Sequence, residues 1–267
     1  MKLLIYGDVV GKLGRAGVKL TLPDWKKEFV PDAVIANVEN VAHGKCIGVA
    51  QIMELKSAGV EIFTGGNHSV EGKNATSILA DETIFITRPA NMSPSLPGKG
   101  VVVFKKNDLS NPLLVINLVG QVNMRQNYDS PFHAVDKILE TYSELTPYKI
   151  VDWHADATSE KSIMGWYLDG KISAVFGTHT HVPTADAKIL PQGTAYISDI
   201  GMVGPMDSII GVDVPKSIIR FKDQVPAPMD VVENGPIEIN AVLIDIGTDG
   251  KAVDIKHLRK ILINYTI

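Results

Sequence analysis

Short apolar runs rich in β-branched residues recur along the chain, most of them closed by glycine or a polar side chain. The runs at 2–7, 33–38, 60–64, 84–87, 101–105, 113–118, 148–153 and 172–176 have the length and composition of buried strands. Between several of them, apolar residues return at helical spacing. Val18, Leu22, Trp25 and Phe29 mark a first helix, within which Pro23 predicts a kink or a break. A second helix over 49–58 is stopped by Gly59. Ser130 and Pro131 supply an N-cap and a first-turn proline for a helix that buries Phe132, Val135, Ile138, Leu139 and Tyr142. Another helix is predicted at 158–168. Alternation of strand and helix predicts parallel βαβ units, hence an α/β fold. After a THTH segment the pattern changes. Short runs at 187–190, 194–198, 229–232, 237–246 and 252–262 predict antiparallel structure, interrupted by a helical turn at 214–221. The Pro, Gly and Ser-rich stretch 88–100 reads as an ordered loop, and no linker divides the chain, so a single domain over 1–267 is expected.

The ends of the runs carry the chemistry. LLIYG leads into Asp8, AVIANV into Glu39 and Asn40, and EIFTGG into Asn67 and His68. KIVDW leads into His154, and SAVFGT into His179 and His181. Each residue alone has an ordinary structural role as a cap, a turn or a loop hydrogen bond. Five strand ends with ligand-type side chains converge in space if the strands are parallel, because the crevice beyond their carboxyl ends is the usual site of an open α/β sheet. All the donors are oxygen or imidazole nitrogen, which suits Mn, Fe, Zn or Mg. Six or seven ligands are too many for one four-coordinate ion and suit two ions sharing a bridging carboxylate. Asp8 and Glu39 would return only two negative charges to two divalent ions. The residual positive charge would attract a phosphate and acidify a bridging water, giving hydroxide for in-line attack on phosphorus. A nearby imidazole could protonate the leaving oxygen. GDVVGKLG (7–14) lacks a proper GxGxxG and argues against a dinucleotide site.

Composition narrows the partners. The chain has 267 residues, 45% of them hydrophobic, and a formal net charge of −4, which provides no footprint for duplex DNA. The single cysteine, Cys46, excludes an internal disulfide and a cysteine-rich zinc site. No run has the roughly 18–20 apolar residues of a membrane span, and the N-terminal MKLLIYG reaches Asp8 too soon for a signal peptide. A cytoplasmic location is expected.

GDVVG (7–11), NVENVAHGK (37–45), GGNHS (65–69), RPAN (88–91), DWHADATSEK (152–161), GTHTHVPTAD (177–186) and ISDIGMVGP (197–205) occur in this order over essentially the whole chain. Together they resemble the YmdB-type branch of the calcineurin-like metallophosphoesterases. GNH and the paired histidines belong to the wider superfamily, whereas HxxATSEK and SDxGM are specific to the branch. The resemblance implies a four-layer α/β/β/α sandwich, two mixed sheets flanked by helices. It also implies a two-metal phosphodiesterase active on 2′,3′-cyclic nucleotides, with Fe or Mn as first choice and Mg or Zn as alternatives. Carried over, Asp8, Glu39, Asn40 and His181 hold one metal; Glu39, Asn67, His154 and His179 hold the other; His68 is the general acid. The chain departs from the wider pattern at Val10, where a histidine is usual and Asn40 supplies the missing ligand. Asp156 stands where the branch has Glu, and Ser69-Val70-Glu71 is less aromatic than the branch pattern.

His43, Lys45 and Arg88 are candidates for contact with the phosphate, and Tyr128 for a stacking surface. The expected partner is a small phosphodiester, with RNA ends as an extension; duplex DNA and membranes are not expected. The apolar C-terminal β segment leaves room for a homo-oligomer. A phosphomonoesterase or nuclease would use the same metals. A regulatory protein that keeps the metal site but acts by binding a partner would have no need of His68.

Overall fold

Successive side chains of the first strand, β1 (Lys2–Val9), enter different cores. Leu3 and Ile5 join one cluster of buried residues, and Leu4 and Tyr6 another. A strand buried on both faces belongs to a sheet covered on both faces, which is why β1 reads as a continuous apolar run rather than an alternating one. The computed structural model describes residues 1–107 and 109–266. After β1 come α1 (Gly11–Phe29), β2 (Ala33–Asn37), α2 (Val49–Ala58), β3 (Ile62–Thr64), α3 (Ala75–Leu79), β4 (Val101–Phe104), β5 (Leu113–Val119) and α4 (Pro131–Thr141). Then follow β6 (Lys149–His154), α5 (Thr158–Leu168), β7 (Ala174–Thr178), β8 (Lys188–Ile189), β9 (Ala195–Ile197), β10 (Met202–Pro205), α6 (Val214–Lys222), β11 (Ile237–Ile246) and β12 (Ala252–Leu262).

Two six-stranded mixed sheets result, ordered β12-β11-β10-β1-β2-β3, with β11 also pairing β1, and β4-β5-β6-β7-β9-β8. One core lies between the sheets, with Leu3, Ile35 and Val242 from the first facing Val115, Ile150 and Phe176 from the second. A second core packs α1 and α2 on the first sheet through Leu13, Val18, Leu22 and Ile52. A third packs α4 and α5 on the second sheet through Val135, Met164 and Leu168. The architecture is the expected α/β/β/α sandwich. Among the described residues no helix is long and apolar enough to cross a membrane.

Several expectations are corrected. Pro23 does not break α1. The carbonyl deprived of its donor is that of Lys19, an exposed residue on the solvent side, where water can satisfy it. The run at 84–87 forms no strand; Ile86 and Thr87 make only isolated bridges, to Phe63 and Lys99. The run at 229–232 is likewise reduced to one bridge, Val231 to Val212. Conversely, β10 was hidden in the Gly- and Pro-containing GMVGP segment, yet it pairs in parallel with β1 at Asp8 and Val9.

The parallel strands β1, β2 and β3 of the first sheet and β6 and β7 of the second bring their carboxyl ends together. The site is therefore built by two sheets rather than along the edge of one. Beneath it, a fully buried carboxylate joins them. Asp152 on β6 accepts hydrogen bonds from Asn37 Nδ2 of β2 (3.0 Å), from Thr64 Oγ1 of β3, and from Thr178 Oγ1 of β7 (2.6 Å). Replacing Asp152 by Ala is expected to destabilise the fold by about 3 kcal/mol, because three buried donors lose their acceptor. Asp152→Asn, which keeps one carbonyl oxygen, should cost less. Denaturant midpoints check both; equal stability of all three proteins would contradict the role given to this carboxylate.

Candidate metal centre

Each strand end delivers its side chain by local backbone chemistry. Asp8 sits near the end of β1, fully buried, and accepts the His179 backbone N–H at 3.1 Å. The turn after β2 is held by Asn37, whose Oδ1 accepts the Glu39 N–H at 3.2 Å, and this brings Glu39 and Asn40 inward. After β3, Gly65 and Gly66 run close beneath the cluster. A Cβ on Gly66 would lie 2.2 Å from Glu39 Oε2 and 2.4 Å from His154 Nε2. Any side chain at Gly66 would fill the space between the ligands. The histidines after β7, whose period-2 spacing would put both on one side of an extended segment, do not lie on one. His179 and His181 both adopt left-handed backbone, with φ of 102° and 66°. Two strained non-glycine residues in three positions must be held from outside. The fully buried Lys161 donates to the Thr178 carbonyl at 2.6 Å and to Asp199 Oδ2 at 3.1 Å. That carboxylate also accepts the Thr180 N–H at 3.1 Å.

The seven expected ligands come together in the structure. Glu39 Oε1 lies 3.2 Å from both His154 Nε2 and Asn40 Nδ2. Asn40 Nδ2 is 3.1 Å from His181 Nε2, which lies 3.9 Å from Asp8 Oδ1. His154 Nε2 is 3.0 Å from both Asn67 Oδ1 and His179 Nδ1. Glu39, His154 and His179 form a group of the kind that can hold a metal ion.

The hydrogen bonds behind the cluster decide which lone pairs face inward. Thr178 Oγ1 gives its hydrogen to Asp152, so it accepts from His154 Nδ1 at 2.9 Å. With one proton on Nδ1, Nε2 presents a lone pair once the second proton, which burial opposes but Glu39 favours there, is displaced, as a cation would do. That lone pair faces Glu39 Oε1 and Asn67 Oδ1, both acceptors. Asp8 Oδ1 is buried with no hydrogen-bond partner at all. Likewise, His181 Nδ1 donates to the Ile210 carbonyl at 2.8 Å, leaving Nε2 as the inward lone pair. An inward set of lone pairs facing one another is what divalent cations complete, and the backing of His154 by Thr178 and Asp152 is the usual support of a ligating imidazole. The Asn40 amide presents nitrogen here; turned by half a rotation it would present oxygen.

Proton affinities follow the same geometry. Burial pushes Asp8 up to about 6, against the pull of His181 and His154. Burial also acts to raise Glu39, yet His154 beside it and the His68 N–H hold it well below the usual carboxylate range. Burial and the proximity of His154 push His179 down to about 3, keeping it neutral.

His68 stands apart from both ligand sets. Its N–H donates to Glu39 Oε2 at 2.9 Å, while its ring is partly exposed with Nδ1 2.9 Å from Glu71 Oε1. Tyr128 flanks this side: burial, with the charges of Glu39 and Glu71, pushes its hydroxyl up to about 12. His43 and Lys45 are exposed, with no contact to the ligands among the described residues. Arg88 lies outside the cluster. Its guanidinium is buried and donates to the carbonyls of Pro89, Leu96 and Pro97 at 2.9–3.0 Å, so it organises the 88–100 loop rather than facing a phosphate. Sequence reasoning missed the supporting residues Asn37, Asp152, Thr178, Lys161 and Asp199. Polar residues inside runs as apolar as AVIAN and KIVDW were the available signal, because buried polar groups must be bonded.

A model of the YmdB-like protein family matches residues 4–258. The chain is 42% identical to the 2′,3′-cyclic-nucleotide 2′-phosphodiesterase of Bacillus subtilis (strain 168), covering 99% of this chain and 97% of that protein. Its fold superposes with a TM-score of 0.91 on a novel phosphatase from Mycoplasma pneumoniae, 32% identical, covering 98% and 93% of the two chains. A hypothetical protein from Thermus thermophilus gives 0.90 at 38% identity, with 98% and 99% covered.

Proposed function

The chain belongs to the YmdB-like family, and from that premise we propose that it is a metal-dependent phosphodiesterase acting on small cyclic nucleotides of the 2′,3′ type. The observation that carries the reading is the inward set of lone pairs, with a partly exposed imidazole beside it that belongs to neither ligand set. Asp8, Glu39, Asn40 and His181 would hold one divalent ion, and Glu39, Asn67, His154 and His179 the other, with Glu39 shared. When bound, the ions supply Lewis acidity that polarises the phosphoryl oxygens and acidifies water. Fe or Mn suits this all-oxygen and imidazole donor set, with Mg or Zn as alternatives.

The chain's own residues do the rest. Asp152 and Thr178 orient His154, Ile210 orients His181, and Gly66 keeps the floor open. The bond from the His68 backbone N–H to Glu39 anchors the residue beside the proposed shared carboxylate, and the ring is held by Glu71. On this reading His68 would protonate the departing ribose oxygen while water attacks phosphorus in line from the opposite face. Glu39 and Asp8 would offset only two of the four positive charges of two divalent ions, so the loaded site would attract a phosphodiester anion.

The reading is tested by stripping the protein with a chelator, reloading it with Mn or Fe, and comparing substrates. These are 2′,3′-cyclic and 3′,5′-cyclic nucleotides, a generic phosphodiester, a phosphomonoester and short RNA. The stripped protein should lose at least about 100-fold in turnover, and reloading should restore it, with the 2′,3′-cyclic substrate turned over fastest. Faster turnover of the phosphomonoester would make the protein a phosphatase on the same centre. Activity indifferent to chelation would remove the metal mechanism.

A further inference from the structure

The turn that carries His181 leads to a groove that the metal chemistry does not use. Ile210, whose carbonyl receives the His181 Nδ1–H, lies at the tip of a two-residue hairpin. Ile209 and Val212 exchange both backbone hydrogen bonds, at 2.9 and 3.1 Å, and Ile210 and Gly211 have φ of 49° and 106°. This primed turn is one for which Asn-Gly is the favoured pair. A β-branched residue with left-handed φ is a poor local choice. Ile210 is nevertheless 48% exposed, so core packing does not account for it either. A residue that is strained, apolar and exposed beside a ligand histidine points to function.

Ile210 lines a groove of about 450 Å³ together with His181 itself, Val182, Pro183, Met202 and Met206. We propose that this groove receives the nucleobase of the substrate, a flat aromatic ring stacked against Ile210 and Met206 while the phosphate lies at the His181 end. The inference rests on the phosphodiesterase reading above and adds where the base goes. One imidazole separates the groove from the lone-pair cluster, since His181 Nε2 faces Asp8 and Nδ1 faces Ile210. The volume falls in the roughly 300–1,000 Å³ range of small-ligand clefts. The walls are mostly apolar, the lining Glu238 carboxylate is engaged by Arg259, and the one hydroxyl among the described lining residues is already spent. Ser208 Oγ donates to the Pro205 carbonyl at 2.6 Å and accepts the Gly211 N–H at 2.9 Å. Arg259, bonded to Glu238 at 2.7 Å, adds a planar cation suited to stacking. Such a groove stacks a base without reading its edges, so the four common bases should be accepted within about tenfold of one another.

The test compares adenosine 2′,3′-cyclic phosphate with its base-less analogue, 1-O-methylribose 2′,3′-cyclic phosphate, in wild type, Ile210→Asn and Met206→Gln. Wild type should favour the nucleotide at least about tenfold in kcat/KM, and both variants should bring that preference within about twofold. Ile210→Asn should also raise the melting temperature, by roughly 2–4 °C, because asparagine suits the turn; a misfolded variant would do the opposite. Calorimetric binding of adenosine 3′-monophosphate against ribose 3-phosphate supplies a readout independent of turnover. A preference for the nucleoside in wild type that both variants keep would overturn the proposal. So would a change of oligomeric state in both variants, which would make the groove a contact between two copies of the chain. If wild type hydrolysed neither ester yet still bound the adenosine probe through these residues, the phosphodiesterase reading would fail and the groove would stand.

Discussion

Wild type should hold two metal ions per chain and Glu39→Gln fewer than one, and the substitution should lower turnover by about 10³-fold or more, the equivalent of several kcal/mol of lost charge stabilisation. The substitution preserves shape, so the loss isolates charge and lone pairs. Glu39 uses both carboxylate oxygens. Oε2 accepts the His68 N–H, and Oε1 faces Asn40 and His154. A glutamine offers one acceptor oxygen and one NH₂. Placed toward His68, the NH₂ confronts another donor; placed inward, it occupies the ligand position with hydrogens. Either orientation damages both proposed metal sets, because this side chain is common to them. Elemental analysis after identical dialysis checks the stoichiometry. Two ions retained in Glu39→Gln would mean that the carboxylate is not shared.

The second large effect is at His68. His68→Ala should lose at least about 100-fold in turnover of a cyclic nucleotide while keeping both metals. Among the described residues the ring's polar partner is Glu71 rather than any of the proposed ligands, and the tether to Glu39 runs through the backbone N–H, which alanine retains. The deficit should depend on the leaving group. An alkoxide leaving from ribose needs a proton, whereas p-nitrophenolate does not, so an activated aryl phosphodiester should lose far less. Equal losses on both substrates would assign His68 to binding rather than proton transfer. Unchanged turnover on both would remove it from the mechanism and favour a binding protein that merely keeps the metal site.

The layered fold was legible because strands buried on both faces, such as β1 and β5, are continuous apolar runs; the runs at 237–246 and 252–262 coincide with β11 and the largely exposed β12. Ligand candidates were legible for the same reason, since a polar side chain directly after such a run is conspicuous. Two kinds of information were not. Pairing partners depend on tertiary context, and β10 shows this. Met202–Pro205 carries two turn-type residues in four, yet the parallel alignment with β1 makes it a strand. Backbone conformation was the other. The histidine spacing suggested an extended segment, whereas Lys161 and Asp199, distant in sequence, hold two left-handed turns. Arg88 reads as a phosphate-binding cation from composition alone, and only the location of three carbonyls shows otherwise.

The position of β1 has a consequence for how the protein is made. Its residues pair with β2 on one side and with β11 on the other, Leu3 lying opposite both Ala33 and Ile244. On a ribosome, the strand that carries Asp8 is synthesised early and keeps an open edge until Ile237–Ile246 emerges. At roughly 5–20 residues per second that interval is on the order of tens of seconds. An apolar strand with a bare edge for that long is a site for misassociation of nascent chains. Asp8 itself lies beyond the β11 pairing, opposite Met202 of β10, so the carboxylate gains its strand neighbour on that side only once Met202–Pro205 has been made, long after its own synthesis.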